Sequence, residues 1–454
     1  MDNKEFISSL VAKAKTAQKE FEKFDQQQVD AVVKAIAKVV YDHAVDLARM
    51  AADETGMGVF EDKIKKNQGK SKIIWNNLKT KKSVGIISCN EETGVVEVAK
   101  PMGVIGVVTP CTNPIVTPMC NAMFALKGRN SIIIAPHPRA KKCARWVVDL
   151  FNDAIRQYGT PENLIQVIDD PSVELTNELM KAVDVIVATG GMGMVKAAYS
   201  SGKPAFGVGA GNVQCIIDRN VNIKEAIPKI VAGRIFDNGI ICSGEQTIIA
   251  HQDDYDAIIE ELKANGAYYM DDPAQKDRLR KAMFVDGFMN KDLVGQSIEK
   301  VALFAGIKLP DGTRLIVVKA DGVGKEDILC KEKMCPVIAS FTYETFAQAV
   351  DIANTNLEVE GKGHSISIHS DNKGNIEYAA NAVPVCRVLV NQICSTMNGG
   401  SFFNGFAPTT TLGCGSWGNN SISENLDYKH LINITRIGYF MKDAKVPTDA
   451  EMWG

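Results

Sequence analysis

The sequence predicts an α/β protein of two or three domains, and three observations carry that prediction. At 454 residues, the chain is longer than one ordinary hydrophobic core accommodates. Its middle alternates short apolar runs with longer segments of helical periodicity. Runs such as Ile132-Ile133-Ile134 are continuously apolar, which is typical of parallel strands buried on both faces.

The composition is typical of a globular protein whose net charge is too small to attract a charged partner over long distances. Lysine and arginine number 51 against 54 aspartates and glutamates, so the net charge of −3 attracts neither nucleic acid nor an anionic membrane. No apolar run approaches about 18 residues, and the N-terminal segment lacks the apolar centre of a signal peptide. We therefore expect a cytoplasmic protein that binds neither nucleic acid nor membranes.

The 11 cysteines are odd in number and dispersed along the chain. Cys120, Cys143, Cys215 and Cys386 lie in apolar runs, which indicates reduced thiols rather than a disulfide framework. No C-x-x-C pair occurs and most of the six histidines lie far apart in sequence, so we expect no metal site.

The first 80 residues are predicted to be helical, because apolar positions recur at helical spacing. Asp25 followed by Gln28 resembles a capping pair at the start of one of these helices. Two strand candidates follow at residues 83–88 and 94–99. The polar residues 90–93 separate them, which indicates a β-hairpin.

Strands and helices then alternate from about residue 104. Strands are predicted at 104–108, 131–135, 164–168, 183–188 and 214–218, with helices at about 118–126, 141–158, 173–182 and after 193. This alternation is the architecture of a dinucleotide-binding domain. The turn Thr189-Gly190-Gly191-Met192-Gly193 lies between a strand and a helix, where glycines let the backbone approach a pyrophosphate. A glycine-rich turn without a ligand is the alternative.

A second alternating unit is predicted to begin near Ile223. Its strands are expected at 247–250, 314–318, 337–341, 365–369 and 387–391, with helices at 223–230 and 257–265. The tail differs in texture, with a loop of small residues at 409–418 and a strand candidate at 431–439. We therefore divide the chain into units of residues 1–220, 221–400 and 401–454.

Cys242 is the candidate catalytic nucleophile, and it lies between a glycine-bearing turn and an apolar strand. A free thiol has a pKa of about 8.5 and is only a few per cent ionised near neutrality, so the thiolate must be activated. Ser243 and Gly244 suit a bend whose backbone N–H groups point at a reacting oxygen. An inert buried thiol is the alternative.

Several motifs, taken together and in order, resemble the CoA-acylating branch of the aldehyde dehydrogenase superfamily over nearly the whole chain. They are Thr109-Pro110-Cys111-Thr112-Asn113-Pro114, Pro136-His137-Pro138-Arg139-Ala140-Lys141-Lys142, residues 188–196, Gly207-Val208-Gly209-Ala210-Gly211-Asn212, residues 236–246 and residues 411–425. The resemblance implies a Rossmann-type cofactor domain (1–220), an α/β catalytic domain (221–400) and a C-terminal return (401–454). It also implies a small β oligomerisation arm, formed by residues 83–99 and the last strand, in a homodimer or homotetramer.

The resemblance also implies a chemistry for Cys242. The thiolate attacks an aldehyde, and Asn113 matches the family asparagine that stabilises the oxyanion; a turn residue before proline is the alternative. Gly207 stands where hydrolytic members carry a water-activating glutamate, so we expect the thioester to pass to coenzyme A. His364 matches a histidine common in the acylating branch and suits proton handling; a structural histidine is the alternative.

The implied cofactor is NADP or NAD, with coenzyme A as co-substrate. Glu332 matches the family glutamate that holds the nicotinamide ribose, although a surface charge is the alternative. His137 stands where many relatives contact the adenosine ribose, and Arg139 is close enough in sequence to meet a 2′-phosphate, which leaves both cofactors open. The other predicted cofactor contacts are Thr109, Thr189, Gly190, Gly191, Gly193 and Gly209.

Within that branch, residues 117–123, 330–336 and 451–454 resemble members that interconvert succinyl-CoA and succinate semialdehyde. Ser395 and Thr396 are candidate walls for the substrate carboxylate. Because the chain ends at Gly454 without an alcohol dehydrogenase half, we expect a stand-alone enzyme. The alternatives are an acylating enzyme for acetaldehyde, another short aldehyde or sulfoacetaldehyde, and a non-catalytic binding protein.

Overall fold

The computed structural model describes residues 2–454. The chain opens with four helices: α1 (Asn3–Phe21), α2 (Gln26–Asp42), α3 (Ala44–Thr55) and α4 (Phe60–Leu78). Asp25 and Gln28 form the predicted capping box at the start of α2, each side chain accepting from the other residue's backbone N–H. The apolar face of α2 is buried in the first hydrophobic core. The hairpin prediction is also confirmed, with antiparallel β1 (Gly85–Asn90) and β2 (Val95–Pro101).

The first sheet is parallel, with strand order β5-β4-β3-β6-β7. Hydrophobic clusters cover both of its faces. Its elements are β3 (Val104–Thr109), α5 (Val116–Lys127), β4 (Ser131–Pro136), α6 (Lys141–Arg156), β5 (Ile165–Val167), α7 (Val173–Ala182), β6 (Val185–Thr189), α8 (Met192–Tyr199) and β7 (Ala205–Val208). The predicted alternation is therefore confirmed, except that β7 was not predicted.

The second sheet has seven parallel strands in the order β10-β13-β14-β9-β8-β15-β16. Its elements are β8 (Val213–Ile217), α9 (Ile223–Ile235), β9 (Glu245–His251), α10 (Gln252–Ala264), β10 (Ala267–Met270), α11 (Pro273–Met283), β11 (Phe284–Val285), β12 (Phe288–Met289), α12 (Ile298–Ala305), β13 (Leu315–Lys319), β14 (Val337–Tyr343), α13 (Phe346–Val359), β15 (Ile366–His369), α14 (Lys373–Ala382), β16 (Val388–Val390) and α15 (Cys394–Met397). Strands β11 and β12 form a separate small hairpin.

The junction between the two sheets differs from the predicted boundary at residue 220. Strand β8 pairs with β9 and β15, so it belongs to the second sheet and not to the first. The chain crosses between the sheets through residues 209–212 without an intervening helix. Strand β7 is only four residues long and contains Gly207, so its sequence pattern is weak. The sequence therefore predicted the strand at 214–218, which is β8, as the last strand of the first unit.

The tail returns to the first unit. Leu426 and Leu431 are buried in the same core as α2 and α5. Strand β17 (Ile432–Gly438) pairs with β2, and this completes a three-stranded antiparallel arm in the order β1-β2-β17. A short helix, α16 (Asp449–Trp453), ends the chain. All 11 cysteines are free. Among residues 2–454, no helix has both the length and the apolar content needed to cross a membrane.

Candidate active site

Cys242 lies in a tight turn that leads into β9. The backbone N–H of Gly244 donates to the carbonyl oxygen of Ile241 at 2.9 Å and closes this turn. The loop that joins the two sheets packs against it, because a Cβ atom on Gly211 would lie 1.9 Å from the carbonyl oxygen of Cys242. Only glycine fits at position 211 without a backbone shift.

The surroundings of the Cys242 thiol disfavour its charged form in the free protein. The side chain is partly buried against Val208, Leu412 and Cys414. Burial first, and then the neighbouring Glu332 and Cys414, raise the pKa of Cys242 to about 12, although the Arg387 guanidinium opposes them. The resting thiol is therefore protonated near neutral pH.

A buried arginine supports the turn through hydrogen bonds to backbone carbonyls. Arg234 is fully buried and donates to the carbonyl oxygens of Gly239 at 2.7 Å, Glu245 at 3.0 Å and Lys333. It thereby connects both sides of the Cys242 turn with the loop that carries Glu332. The Glu245 side chain accepts from the backbone of Cys394 at 2.8 Å, and burial raises the pKa of this carboxyl to about 7.

Asn113 follows β3, and its side chain contacts the segment that precedes Cys242 through a lysine. Lys66 on α4 donates to Asn113 Oδ1 at 2.7 Å and to Asp237 Oδ2 at 2.5 Å. The structure therefore places Asn113 in one polar cluster with the Cys242 segment. Sequence analysis did not identify Lys66 or Asp237, which lie far apart in the chain.

Lys66 belongs to a row of lysines on one face of α4, together with Lys63 and Lys70. Lys63 also pairs with the fully buried Asp237, at 3.2 Å. Burial and the nearby Lys66 lower the pKa of Lys63 to about 8. Burial alone would raise the pKa of Asp237, but Lys66 and Lys63 hold it below its ordinary value.

Lys70 differs from the other two lysines because no carboxylate of residues 2–454 pairs with it. Its ammonium group donates to the carbonyl oxygens of Gly399 at 2.8 Å and Thr409 at 3.2 Å. Burial lowers its pKa to about 8, while the thiols of Cys120 and Cys242 lie within electrostatic range and act in the opposite direction. The ammonium group of Lys70 is therefore a cation near Cys242 whose charge no carboxylate among the described residues neutralises.

Gly207, which takes the place of the water-activating glutamate, lies in β7, and the packing around it leaves no space for a side chain. A Cβ atom there would lie 2.8 Å from Cγ1 of Val195 and 2.9 Å from the ring of Tyr199. The Tyr199 hydroxyl also accepts from the Gly207 N–H at 2.9 Å. The space that a carboxylate side chain would need at position 207 is therefore occupied by Val195 and Tyr199.

His364 is fully buried, and its ring is held by the Ser365 hydroxyl at 3.0 Å from Nδ1. Arg387 Nε and Asn398 Nδ2 both donate to that hydroxyl, which leaves its proton for His364 Nδ1 and puts the ring proton on Nε2. Burial and Arg387 lower the pKa of His364 to about 3. His364 is therefore a neutral hydrogen-bonding group in the free protein, and its part in proton handling stays a prediction.

The predicted substrate residues lie next to the Cys242 turn. The carbonyl oxygen of Ser395 accepts from the Ser243 hydroxyl at 2.9 Å. The Ser395 hydroxyl is buried without a hydrogen-bond partner among residues 2–454. Thr396 is half-buried beside it at the start of the short helix α15.

The predicted cofactor residues lie along the carboxyl ends of strands in the first sheet, where open α/β sheets bind ligands. Thr109 ends β3, and its carbonyl oxygen accepts from the His137 N–H at 3.0 Å just after β4. Thr189 ends β6, and its hydroxyl oxygen lies 3.5 Å from the hydroxyl oxygen of Thr411. Arg139 is exposed and donates to a backbone carbonyl of α3 at 3.3 Å.

The glycine turn has the open surface that a pyrophosphate requires. A Cβ atom on Gly191 or Gly193 would meet no other atom, and no side chain caps the N-terminus of α8. Gly209 packs under Met192, whose Sδ would lie 2.3 Å from an added Cβ. These residues fit a dinucleotide.

Glu332 contacts the junction loop rather than lying on the surface. Its Oε1 accepts from the Gly211 N–H at 3.2 Å. Burial and the adjacent Glu360 raise the pKa of Glu332 to about 8. Glu332 and Cys242 therefore face the same loop. Separately, no group of three or more potential metal ligands occurs in residues 2–454.

Known proteins match this chain in sequence over most or all of its length. The aldehyde dehydrogenase family model matches residues 1–283. The chain is 54% identical, over all 454 residues and the full length of both proteins, to succinate-semialdehyde dehydrogenase (acetylating) from Clostridium kluyveri.

Solved structures agree in fold over nearly the whole chain. An acetylating aldehyde dehydrogenase from Geobacillus thermoglucosidasius superimposes with a TM-score of 0.94 at 37% identity, covering 98% of each chain. A propionaldehyde dehydrogenase from Rhodopseudomonas palustris, with bound CoA and an acylated cysteine, gives 0.84 at 29% identity over 95% and 97%. An engineered glycolyl-CoA reductase with bound NADP+ gives 0.84 at 30% identity over 95% and 96%.

Proposed function

This chain belongs to the aldehyde dehydrogenase family, and we propose that it is a CoA-acylating member that interconverts succinyl-CoA and succinate semialdehyde. The observation that carries the proposal is the pairing, near Cys242, of a position closed to a water-activating acid with a partly buried cation that lacks a carboxylate partner among residues 2–454. The first feature favours transfer of the acyl group to a thiol over hydrolysis. The second favours an aldehyde that carries a negative charge.

In the oxidative direction, the Cys242 sulfur attacks the aldehyde carbon, a C–S bond forms, and the carbonyl π electrons move to the oxygen. The Asn113 amide and the backbone N–H of Cys242 stabilise this oxyanion. Removal of one such donor typically costs about 100- to 1000-fold in rate. Because the free thiol has a pKa of about 12, we infer that Cys242 releases its proton to solvent only as the substrate complex assembles.

When bound, a nicotinamide dinucleotide, NADP or NAD, would supply the hydride acceptor for oxidation of the aldehyde carbon. Thr189, the glycine turn and Glu332 would hold it, with His137 and Arg139 toward the adenosine end. Glu332 would be the partner of the nicotinamide ribose, which supplies hydroxyl donors that the carboxyl lacks in the free protein. The role of these residues is binding and orientation.

The thioester on Cys242 then passes its acyl group to coenzyme A. The CoA thiol attacks the thioester carbon, the bond to Cys242 breaks, and the proton of the CoA thiol passes to the departing Cys242 sulfur, which restores the resting thiol. Water is a poor competitor because packing at Gly207 leaves no room for a base at that position. His364 would assist as a neutral ring that orients a reacting group through Nε2.

Lys70 supports succinate semialdehyde as the aldehyde. An ammonium group has three N–H donors, and Gly399 and Thr409 occupy two of them. A substrate carboxylate would take the third and supply the missing negative charge. The hydroxyls of Ser395 and Thr396 would add neutral hydrogen bonds to the same carboxylate.

The proposal is tested by following reduction of NAD and NADP with succinate semialdehyde, with and without coenzyme A. CoA-dependent turnover that disappears in Cys242→Ala is the expected result. CoA-independent turnover would indicate hydrolysis, and absence of turnover with any aldehyde would favour a binding protein. Acetaldehyde, butanal and sulfoacetaldehyde in the same panel test the substrate, and the two nucleotides test the cofactor.

We further propose that the chain assembles as a homodimer or homotetramer through the β1-β2-β17 arm. The arm and the following residues expose large apolar side chains, including Ile86, Ile437, Tyr439 and Phe440. Multi-angle light scattering should give a mass of two or four chains. A chain truncated after Gly438 should shift to smaller species, and a monomeric full-length protein would contradict the proposal.

A further inference from the structure

Lys66 joins two segments that the proposed chemistry needs together. Its ammonium group lies 2.7 Å from Asn113 Oδ1 and 2.5 Å from Asp237 Oδ2, and its side chain is 9% exposed. Asp237 is fully buried and also accepts from the backbone N–H of Val59 at 2.8 Å and from Lys63. Lys66 is thus part of a compact cluster whose position is set by several contacts.

The contact with Lys66 selects one orientation of the Asn113 amide. A carboxamide has one end that accepts hydrogen bonds and one end that donates them, and the two ends have nearly the same shape. An ammonium group only donates, so Asn113 must turn Oδ1 toward it. Both Nδ2 protons are then directed away from Lys66 and remain available for another acceptor.

That orientation decides whether Asn113 helps or hinders the proposed reaction. With Nδ2 presented, the side chain donates to a developing oxyanion. After a rotation of about 180° around the last side-chain bond, Oδ1 would face the same oxyanion and repel it. The ion pair with Asp237 balances the positive charge of Lys66 in the buried cluster.

We propose that Lys66 is a positioning residue, which holds the Asn113 amide with its donor end toward the oxyanion. The inference rests on the proposed function of Cys242 and Asn113 and adds the residue through which the amide is oriented. Lys66 acts through Asn113 and has no contact with the substrate in this account.

A double-mutant cycle tests the proposal. Asn113→Ala should lower kcat about 100- to 1000-fold. Lys66→Met, which keeps the length of the side chain but removes its donors, should lower kcat at least about tenfold and leave the KM for coenzyme A unchanged. In the double variant, Lys66→Met should cause little further loss, because the amide that it orients is gone.

Lys63→Met is the matched control, since Lys63 contacts Asp237 but not Asn113. It should reduce thermal stability in the way that Lys66→Met does, yet keep kcat within about threefold of the wild type. Lys66→Arg should recover part of the lost kcat, because a guanidinium also only donates. If Lys66→Met does not fold, Lys66→Gln gives the same test, since its amide presents either end to Asn113.

The outcomes separate this inference from the function on which it rests. Losses that multiply in the double variant, or equal losses for Lys63→Met and Lys66→Met, would overturn the positioning role alone. A wild-type protein without CoA-dependent turnover, or an Asn113→Ala variant with undiminished kcat, would overturn the proposed function and the positioning role together.

Discussion

Two segments next to Cys242 restrict its chemistry by different physical means. Strand β7 and the junction loop, residues 205–212, are built of small and apolar residues packed so closely that Gly207 and Gly211 admit no side chain. Helix α4 instead turns Lys63, Lys66 and Lys70 toward the protein interior. On the proposed function, the first segment excludes a water-activating side chain by volume, and Lys70 on the second segment selects the aldehyde by charge.

The difference also separates structure from function. Close packing at a glycine stabilises the fold, so it needs no ligand to explain it. Burial of an ammonium group costs free energy, as the lowered pKa of Lys70 records. A charge retained in spite of that cost is a stronger indication of function than a filled volume.

Among the changes that test this comparison, removal of the Lys70 charge should have the largest effect. Lys70→Met should lower kcat/KM for succinate semialdehyde by about 10- to 150-fold, because a hydrogen bond to a charged group contributes about 1.5–3 kcal/mol. Butanal, which has no carboxylate, should be turned over as well as before. Lys65→Met on the exposed side of α4 is the control. Equal losses for both aldehydes would mean that Lys70 does not select by charge.

A glutamate at position 207 tests whether the other segment acts by volume. Gly207→Glu should lower the free energy of unfolding by about 1–3 kcal/mol, since the added side chain overlaps Val195 and Tyr199. It should not produce CoA-independent oxidation by itself. Combined with Val195→Ala and Tyr199→Ala, which remove both overlaps, it should produce measurable oxidation of the aldehyde without coenzyme A. Hydrolysis by the single variant would show that the position is open.

Neutral donors should matter less than the cation. Ser395→Ala, and separately Thr396→Val, should lower the preference for succinate semialdehyde over butanal by about 2- to 10-fold, as expected for one neutral hydrogen bond of about 0.5–1.5 kcal/mol. Competition assays with both aldehydes measure this preference directly. An unchanged ratio in both variants would remove these hydroxyls from the substrate site.

The smallest expected effect concerns the Cys242 thiol. Ionised Glu332 raises the pKa of Cys242, so Glu332→Gln should lower that pKa and speed alkylation by iodoacetamide. Because the pKa of Glu332 is about 8, the difference should appear above pH 8 and vanish at pH 7, where the wild-type carboxyl is protonated. Mass spectrometry of the Cys242 peptide gives the rate, with the exposed Cys89 as internal reference. A difference that persists at pH 7 would contradict this coupling.

Local pattern was sufficient for most of the fold. Continuous apolar runs predicted nearly every strand of the first sheet, and the capping pair at Asp25 predicted the start of α2. The exception was the passage from β7 to β8. A four-residue strand that contains a glycine has too weak a pattern to detect, and nothing local says which sheet a strand joins.

Sequence alone determined the α/β alternation, the hairpin, the candidate thiol at Cys242 and the lack of an acid at Gly207. These features depend on residues that are consecutive in the chain, so side-chain periodicity and residue type are sufficient to predict them. Tertiary structure decided that the neutral ring of His364 is buried and that Lys66, Asn113 and Asp237 meet. A lysine on a helix is most often exposed, so its burial depends on packing against a segment 171 residues away. Such long-range contacts create the electrostatic environment of the site, and no local pattern encodes them.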